Sequence, residues 1–341
     1  MNGSSDAEVS SSVDESSQSC NGTNGVVETP LPAMPSSIKP GNLKLWLPPE
    51  MASCSTAHPD EVMKKLTREE HSWTPCPGRA FNVRSGPNYA STGTKRPSEH
   101  SLYDVVAIDG YRSDQKLPHI GRVMLLPEDN EAAGLGLPPH LIINFMVPNY
   151  APGIIGGKKS DGPGWNLVMQ CRLSDEAREA IRKGEPSPAI ELARRFMHPE
   201  EGRKLRKERL KCIFGTADVA EPGFNVLTRQ LIQSYNFKPF LSKTASSFYN
   251  VPEKQYFEID VDTHTWGNAA LSGLNTFKSR MAKATLRAGI VIEAEEDGEM
   301  PEQMLAAAYL SYMDPTKAGF IPPEVAQYML DDNDTAIGPL E

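Results

Sequence analysis

From Trp73 onward the sequence falls into short apolar stretches cut apart by Pro and Gly, and that punctuation limits the chain to a sheet of short strands. The stretches are 81–84, 102–111, 141–147, 167–173, 210–215 and 256–262. They do not alternate with long helices, so a mostly antiparallel sheet fits them and a doubly wound parallel one does not. In 257–262 the alternation is complete. Phe257, Ile259 and Val261 share one face, and Glu258, Asp260 and Asp262 share the other.

Helical periodicity is confined to fewer places. Ala270, Leu271, Leu274, Phe277, Met281 and Ala284 recur at steps of three and four, while Lys278, Arg280, Lys283 and Arg287 gather where cations suit a helix C-terminus. This pattern predicts an amphipathic helix over 267–286. Ser174 as a cap and Gly184 as a stop predict a helix over 175–183, and 188–197 reads as another. Downstream, 288–294 reads as a strand and 295–298 as a turn. Pro301 then opens a helix running through Leu305, Ala308, Tyr309 and Tyr312. The expected class is α+β: a mostly antiparallel, curved sheet packed by an amphipathic helix and additional helices.

A length of 341 residues suits one principal domain with appendages. Residues 1–40 are rich in Ser, Asn, Gly and Pro and poor in large apolar side chains. Burial there cannot offset an ordering entropy of about 1–2 kcal/mol per residue, so a disordered acidic tail is expected. Residues 41–72 read as a lead-in segment, 73–313 as the domain and 314–341 as a C-terminal extension. No apolar run approaches the roughly 18–20 residues that span a bilayer, and no transmembrane segment is expected. Met1 is not followed by a basic start and an apolar block, and the five cysteines form no CxxC pair. A cytoplasmic location, peripheral to membranes, fits these features. Five carboxylates (Asp6, Glu8, Asp14, Glu15, Glu28) precede the first basic residue, Lys39, and account for most of the net charge of −9. A mildly acidic body is a poor nucleic-acid ligand, and none is expected.

The motifs separate into strong and weak signals. The row Glu258, Asp260, Asp262 with His264 nearby offers hard oxygens to a cation, and partly matches the phosphotransferase pattern Asp-x-Asp-x-Thr. Thr263 and His264 stand at the wrong places for that pattern, so the row reads as a solvated strand face, with Asp262 or Thr263 capping the helix entry after it. Residues 314–321 carry four positions of a calcium loop, but Ala318 and Val325 stand where ligands belong, and a tight turn is the plainer reading. His119 shares a short turn with Ser113 and Asp114 and reads as a structural hydrogen-bonding group. The segment 203–211 has six cations against one acid, dense enough to hold anionic lipid head groups at about 1 kcal/mol per well-placed cation, and the plainer alternative is a solvated helix face balanced by Glu200 and Glu201.

Seven pieces taken together, in order, resemble a known family. They are Trp73-Thr74-Pro75-Cys76-Pro77-Gly78 with 81–85; 102–109 leading to Ser113-Asp114 and His119-Ile120; Ile143-Asn144-Phe145-Met146-Val147-Pro148; 209–213; Lys238-Pro239-Phe240-Leu241; 256–262; and 287–294 before Met300-Pro301-Glu302. This series resembles the C-terminal domain of plant Enhanced Disease Resistance 2 proteins. The resemblance implies a domain that in plant members follows pleckstrin-homology and START modules, with links to membranes and to restraint of defence-related cell death. The roughly 70 residues before Trp73 leave no room for those modules, so a stand-alone version is expected. Ser242 stands where the family usually has Gly, 263–266 replaces a run of small residues, and 149–165 and 174–209 look expanded. The family implies no reaction, so no catalytic residue, cofactor or metal is assigned.

The expected function is that of a non-enzymatic, lipid- or membrane-associated regulatory domain. Arg203, Lys204, Arg206, Lys207 and Lys278 would hold an anionic lipid, and Phe145, Met169, Leu274, Phe277 and Met281 would line a cleft for an acyl chain or apolar small ligand. One alternative is a protein-interaction module in signalling, with a protein partner. Another is a metal-dependent hydrolase using Asp260 and Asp262 with His264.

Overall fold

The computed structural model describes residues 43–45, 71–132, 134–150, 161–216, 226–243, 245–330 and 340. The expected tail, most of the lead-in and the Gly-rich stretch 151–160 lie outside the described residues. In chain order the elements begin with β1 (Lys44–Leu45), β2 (Ser72–Pro75), β3 (Asn82–Arg84), α1 (Tyr89–Thr92), β4 (Lys95–Pro97), β5 (Tyr103–Ser113), β6 (His140–Pro148) and β7 (Gly164–Leu173). Three helices follow, α2 (Asp175–Arg182), α3 (Pro188–Met197) and α4 (Gly202–Arg209), leading into β8 (Leu210–Thr216). Then come α5 (Val226–Tyr235), β9 (Phe240–Leu241), β10 (Ser246–Val251), β11 (Tyr256–Asp262) and α6 (Asn268–Met281). The last are β12 (Thr285–Ile292), β13 (Met304–Ser311), β14 (Gly319–Phe320) and α7 (Pro323–Leu330).

The strands build two open sheets of six, ordered β1-β2-β13-β12-β8-β9 and β10-β11-β6-β7-β5-β14, with β3 and β4 as a separate hairpin. Pairing is antiparallel except at β1–β2, β11–β6 and β5–β14. The expected α+β class with mostly antiparallel pairing is what forms, and the sheet is doubled. One interior serves both sheets. Leu141, Ile143, Phe145 and Val147 of β6 and Phe257, Ile259 and Val261 of β11 cluster there with Leu286, Ala288, Ile290 and Ile292 of β12 and Ala306, Ala308 and Leu310 of β13. The helical insertion begins as expected, since the Ser174 hydroxyl accepts from the Ala177 amide at 3.3 Å and caps α2. Phe196 of α3 is fully buried against Phe248 and Phe257.

Each sheet is also covered on its outer face, so β6, β12 and β13 are buried along their whole length. Residues 117–124 and α7 cover the second sheet through Leu117, Ile120, Val123, Val325 and Met329. The β3 hairpin region covers the first, where Phe81 and Val83 meet Ile213, Val291, Met304, Ala307 and Tyr309.

This second layer of packing overturns one expectation. The segment after Pro301 is not a helix: Leu305, Ala308 and Tyr309 lie in β13, at the centre of the first sheet. Its alanines favour a helix by less than about 1 kcal/mol each, and burial on two faces outweighs that preference. Small side chains are needed there because the layers are close. A Cβ on Gly289, paired with Ala307, would run into Met304 and Phe81. For a similar reason α6 stops at Met281 and not at 286: Thr285 and Leu286 are already paired with Ser311 and Leu310.

Candidate functional site

The basic run folds as the last helix of the insertion, and helical phase sorts its cations. At 100° per residue, Arg203, Lys204 and Lys207 fall on one face, while Leu205, Arg206 and Arg209 fall opposite. The first three are exposed, and Arg203 faces Glu200 at 3.6 Å. Arg206 is 1% exposed and its guanidinium donates to the carbonyls of Phe196, His198 and Pro199 at 3.0, 2.7 and 2.6 Å, closing the end of α3. Arg209 grips both oxygens of Glu299, which also receives Arg195 at 2.7 Å. Lys211 is buried, with its ammonium 2.6 Å from Glu302. Two kinds of work are therefore interleaved in one stretch of sequence. The outward cations are exposed, whereas Arg206 ties α4 to the end of α3 and Arg209 ties it to the turn that follows β12.

The residues expected to line a cleft divide as well. Phe145, Met169 and Met281 are packed into the shared interior, with Phe145 edge-on to Phe214 at 5.3 Å. The Phe277 side chain lies outside the described residues. Leu274 and Lys278, one helical turn apart on α6, come together in a shallow pocket with Pro148, Tyr150, Leu271 and Asn275. The free space there is about 10 Å³, close to the volume one water needs, and too small for an acyl chain. The Lys278 ammonium spans the pocket to donate to the Pro148 carbonyl at 2.7 Å, and burial lowers its pKa.

The carboxylate row of β11 is a different site from the one its alternation suggests. Glu258 and Asp260 are fully buried beneath residues 117–124, not solvated. Asp260 accepts from the His119 amide at 2.8 Å and from the Asn144 side chain at 2.9 Å. Glu258 accepts from the amides of Ile120 and Gly121, the latter at 3.0 Å. Its side chain also hydrogen-bonds the Asp260 carboxyl, which two carboxyl groups can do only with a proton between them. Burial raises both pKa values, Glu258 well above the carboxylate range with the Asp260 charge adding to it, and Asp260 to about 6. The His119 ring stacks on Tyr249 with centroids 3.8 Å apart and meets the Tyr256 hydroxyl at 2.9 Å. Burial, aided by Arg122 and Lys254, brings its pKa down to about 3, so the imidazole is neutral.

Asp260, Asp262 and His264 are not gathered for hydrolysis. Asp260 points into the buried layer, whereas Asp262 pairs with Lys116 at 3.0 Å and caps the turn through the His264 amide, as its capping role predicts. His264 meets the Tyr150 hydroxyl at 3.0 Å. Asp314, from the calcium-like loop, accepts from the Thr316 amide and hydroxyl. The polar layer had a sequence signal: Asn144, Asn166 and Gln170 interrupt otherwise apolar strands, and Asn166 donates to Asn144 at 2.8 Å while Gln170 donates to Asp109 at 2.6 Å.

Among the described residues no helix is long and apolar enough to cross a membrane. Comparison with the curated proteins and with the solved structures finds no match for either. A family model, described as Protein ENHANCED DISEASE RESISTANCE 2, C-terminal, matches residues 73–314, most of the chain and all of both sheets except β1, the first residue of β2 and β14. That match, over more than half of its length, shows that this chain belongs to the Enhanced Disease Resistance 2 C-terminal family.

Proposed function

We propose that the domain is a non-enzymatic, membrane-associated regulatory module that docks anionic lipid head groups on the outward face of α4. The observation that supports this reading is the sorting of cations on one short helix. Arg206, Arg209 and Lys211 are bound internally, and Arg203, Lys204 and Lys207 remain exposed within about 100° of arc. At about 1 kcal/mol per cation near a negative surface, three give about 3 kcal/mol, or about two orders of magnitude in partition, before the opposing charges of the exposed Glu200, Glu201 and Glu208 are counted. Docking is by surface charge. The packed positions of Phe145, Met169 and Met281 do not favour uptake of an acyl chain.

The test is sedimentation with phosphatidylcholine vesicles, with and without phosphatidylserine. Binding should require the anionic lipid and fall up to about a hundredfold in R203A/K204A/K207A, with the melting temperature unchanged. Equal sedimentation of parent and triple variant, or none by the parent, would refute the reading. A second reading, a protein-interaction module, is favoured by one feature: β9 ends the first sheet and exposes Leu241 at 37% on that edge. A stable protein partner without vesicle binding would support it.

A further inference from the structure

We infer that His100, Asp104 and Glu176 form a binding site for one divalent transition-metal ion of the zinc type. The three come from separate places: the turn before β5, β5 itself, and the first turn of α2. His100 Nε2 lies 2.8 Å from Asp104 Oδ1 and 3.6 Å from Glu176 Oε2, and the three atoms lie within 4.8 Å of one another. Bonds of about 2.0–2.1 Å to a tetrahedral ion separate neighbouring ligand atoms by about 3.3 Å, so side-chain adjustments of at most about 1.5 Å complete the triangle. One imidazole nitrogen and two carboxylate oxygens leave the fourth position to water. That donor set suits zinc better than calcium or magnesium, which take six or more oxygens.

Two further observations separate this cluster from an ordinary surface ion pair. The first is the frame. Leu102, between two of the ligands, donates its amide to Met304 and accepts from the Ser174 amide, both at 2.9 Å. Ser174 is the cap of α2, and Gln303 donates to the His100 carbonyl, so all three ligand-bearing segments are tied to one backbone point. Little reorganisation is needed to bring them onto an ion. The second is charge. Both neighbouring arginines are paired with acids that are not ligands, Arg96 with Glu99 at 3.1 Å and Arg172 with Asp175 at 3.0 Å. Asp104 and Glu176 are left sharing the single His100, and with the imidazole neutral, as a metal ligand must be, the seven acidic and basic groups of this patch sum to −2, which a dication neutralises. The side chains are 46%, 46% and 65% exposed, so an ion reaches them directly. Metal there would clip the start of α2 to β5.

The experiment is calorimetric titration of the chelator-treated full chain with zinc chloride and, separately, magnesium chloride, with thermal melts alongside. Zinc should bind at one equivalent and raise the melting temperature, and magnesium should not. H100A and E176Q alter only exposed groups and should melt like the metal-free parent. In each, zinc affinity should fall at least about tenfold and the zinc-dependent rise should vanish, since loss of an outer-shell partner alone costs about 10–100-fold. Absence of saturable zinc binding by the parent, or binding by H100A equal to the parent's, overturns the assignment.

Discussion

Replacing Glu258 by Gln should stabilise this protein at neutral pH, although it removes a fully buried charge-bearing group. Around the Glu258–Asp260 pair stand the amides of His119 and Gly121, the Asn144 side chain, the neutral His119 ring and the hydroxyl of Tyr256, with Arg122 and Lys254 more distant. None of the neighbouring donors satisfies the contact between the two carboxyls, so it needs a proton. Burial and the Asp260 charge push Glu258 well above its ordinary 4.5, so Glu258 carries that proton, and Asp260 beside it titrates in parent and variant alike. From pH 4.5 up to its raised value the folded state holds a proton that the unfolded state has released, so stability falls as pH rises through that window. At about 1.4 kcal/mol per pH unit, the loss at pH 7.5 is up to roughly 4 kcal/mol. In E258Q the amide Nε2 donates to Asp260 permanently, while Oε1 still accepts from Gly121. Urea melts of parent and variant from pH 4.5 to 8 should therefore diverge, with the variant more stable by up to roughly 4 kcal/mol at pH 7.5 and nearly equal at pH 4.5. Taking the difference between the two curves cancels groups that titrate in both, such as Glu299. Parallel curves, or a variant less stable at pH 7.5, would show that no proton is shared.

Three more outcomes are expected. K211M leaves Glu302 buried without its ammonium and should lower stability by about 3–5 kcal/mol in a denaturant melt, whereas a loss below about 1 kcal/mol would mean that water reaches the pair. R206A frees three carbonyls at the end of α3 and should cost about 3 kcal/mol or more, against less than about 0.5 kcal/mol for K207A one position later, by the same melt. Burial opposes ionisation of Glu299, but the amides of Glu295 and Glu296 and the guanidinium groups of Arg195 and Arg209 outweigh it and hold its pKa at about 2. Its contribution is therefore complete above the unfolded value near 4.5 and is lost as pH falls toward 2. In E299Q the acid limb of the stability curve should be shallower, and an unchanged slope between pH 4.5 and 2.5 would refute the assignment.

The strands were legible wherever alternation and turn residues act locally: the stretches at 102–111, 141–147 and 256–262 are β5, β6 and β11 within a residue or two. What sequence does not announce is a covering segment from far away. Glu258 and Asp260 look like a solvated face until residues 117–124 settle over them, and the alanines of β13 look helical until β12 and the Phe81 hairpin close on both sides. The basic run presents another kind of concealment. Its composition is uniform, yet a rotation of 100° per residue separates Lys204 from Leu205 and Lys207 from Arg206. That division was available in principle once the stretch is taken as a helix. The His100, Asp104 and Glu176 cluster was not, because Glu176 is brought to the other two only by the cap at Ser174 and its bond to Leu102.

The position of β13 also fixes when this domain can be completed during synthesis. Among the described residues, 72–75 of the first sheet pair with Lys44–Leu45 on one side and with residues 308–311 on the other. At 5–20 residues per second, the ribosome delivers the second partner roughly 10–50 s after β2 has emerged. Until then the first sheet lacks its two central strands, and the apolar residues that later form the shared interior have no partners there. Completion therefore waits for residue 311 to emerge, and truncation anywhere before residue 311 should yield a chaperone-bound product and not a shorter version of the same domain.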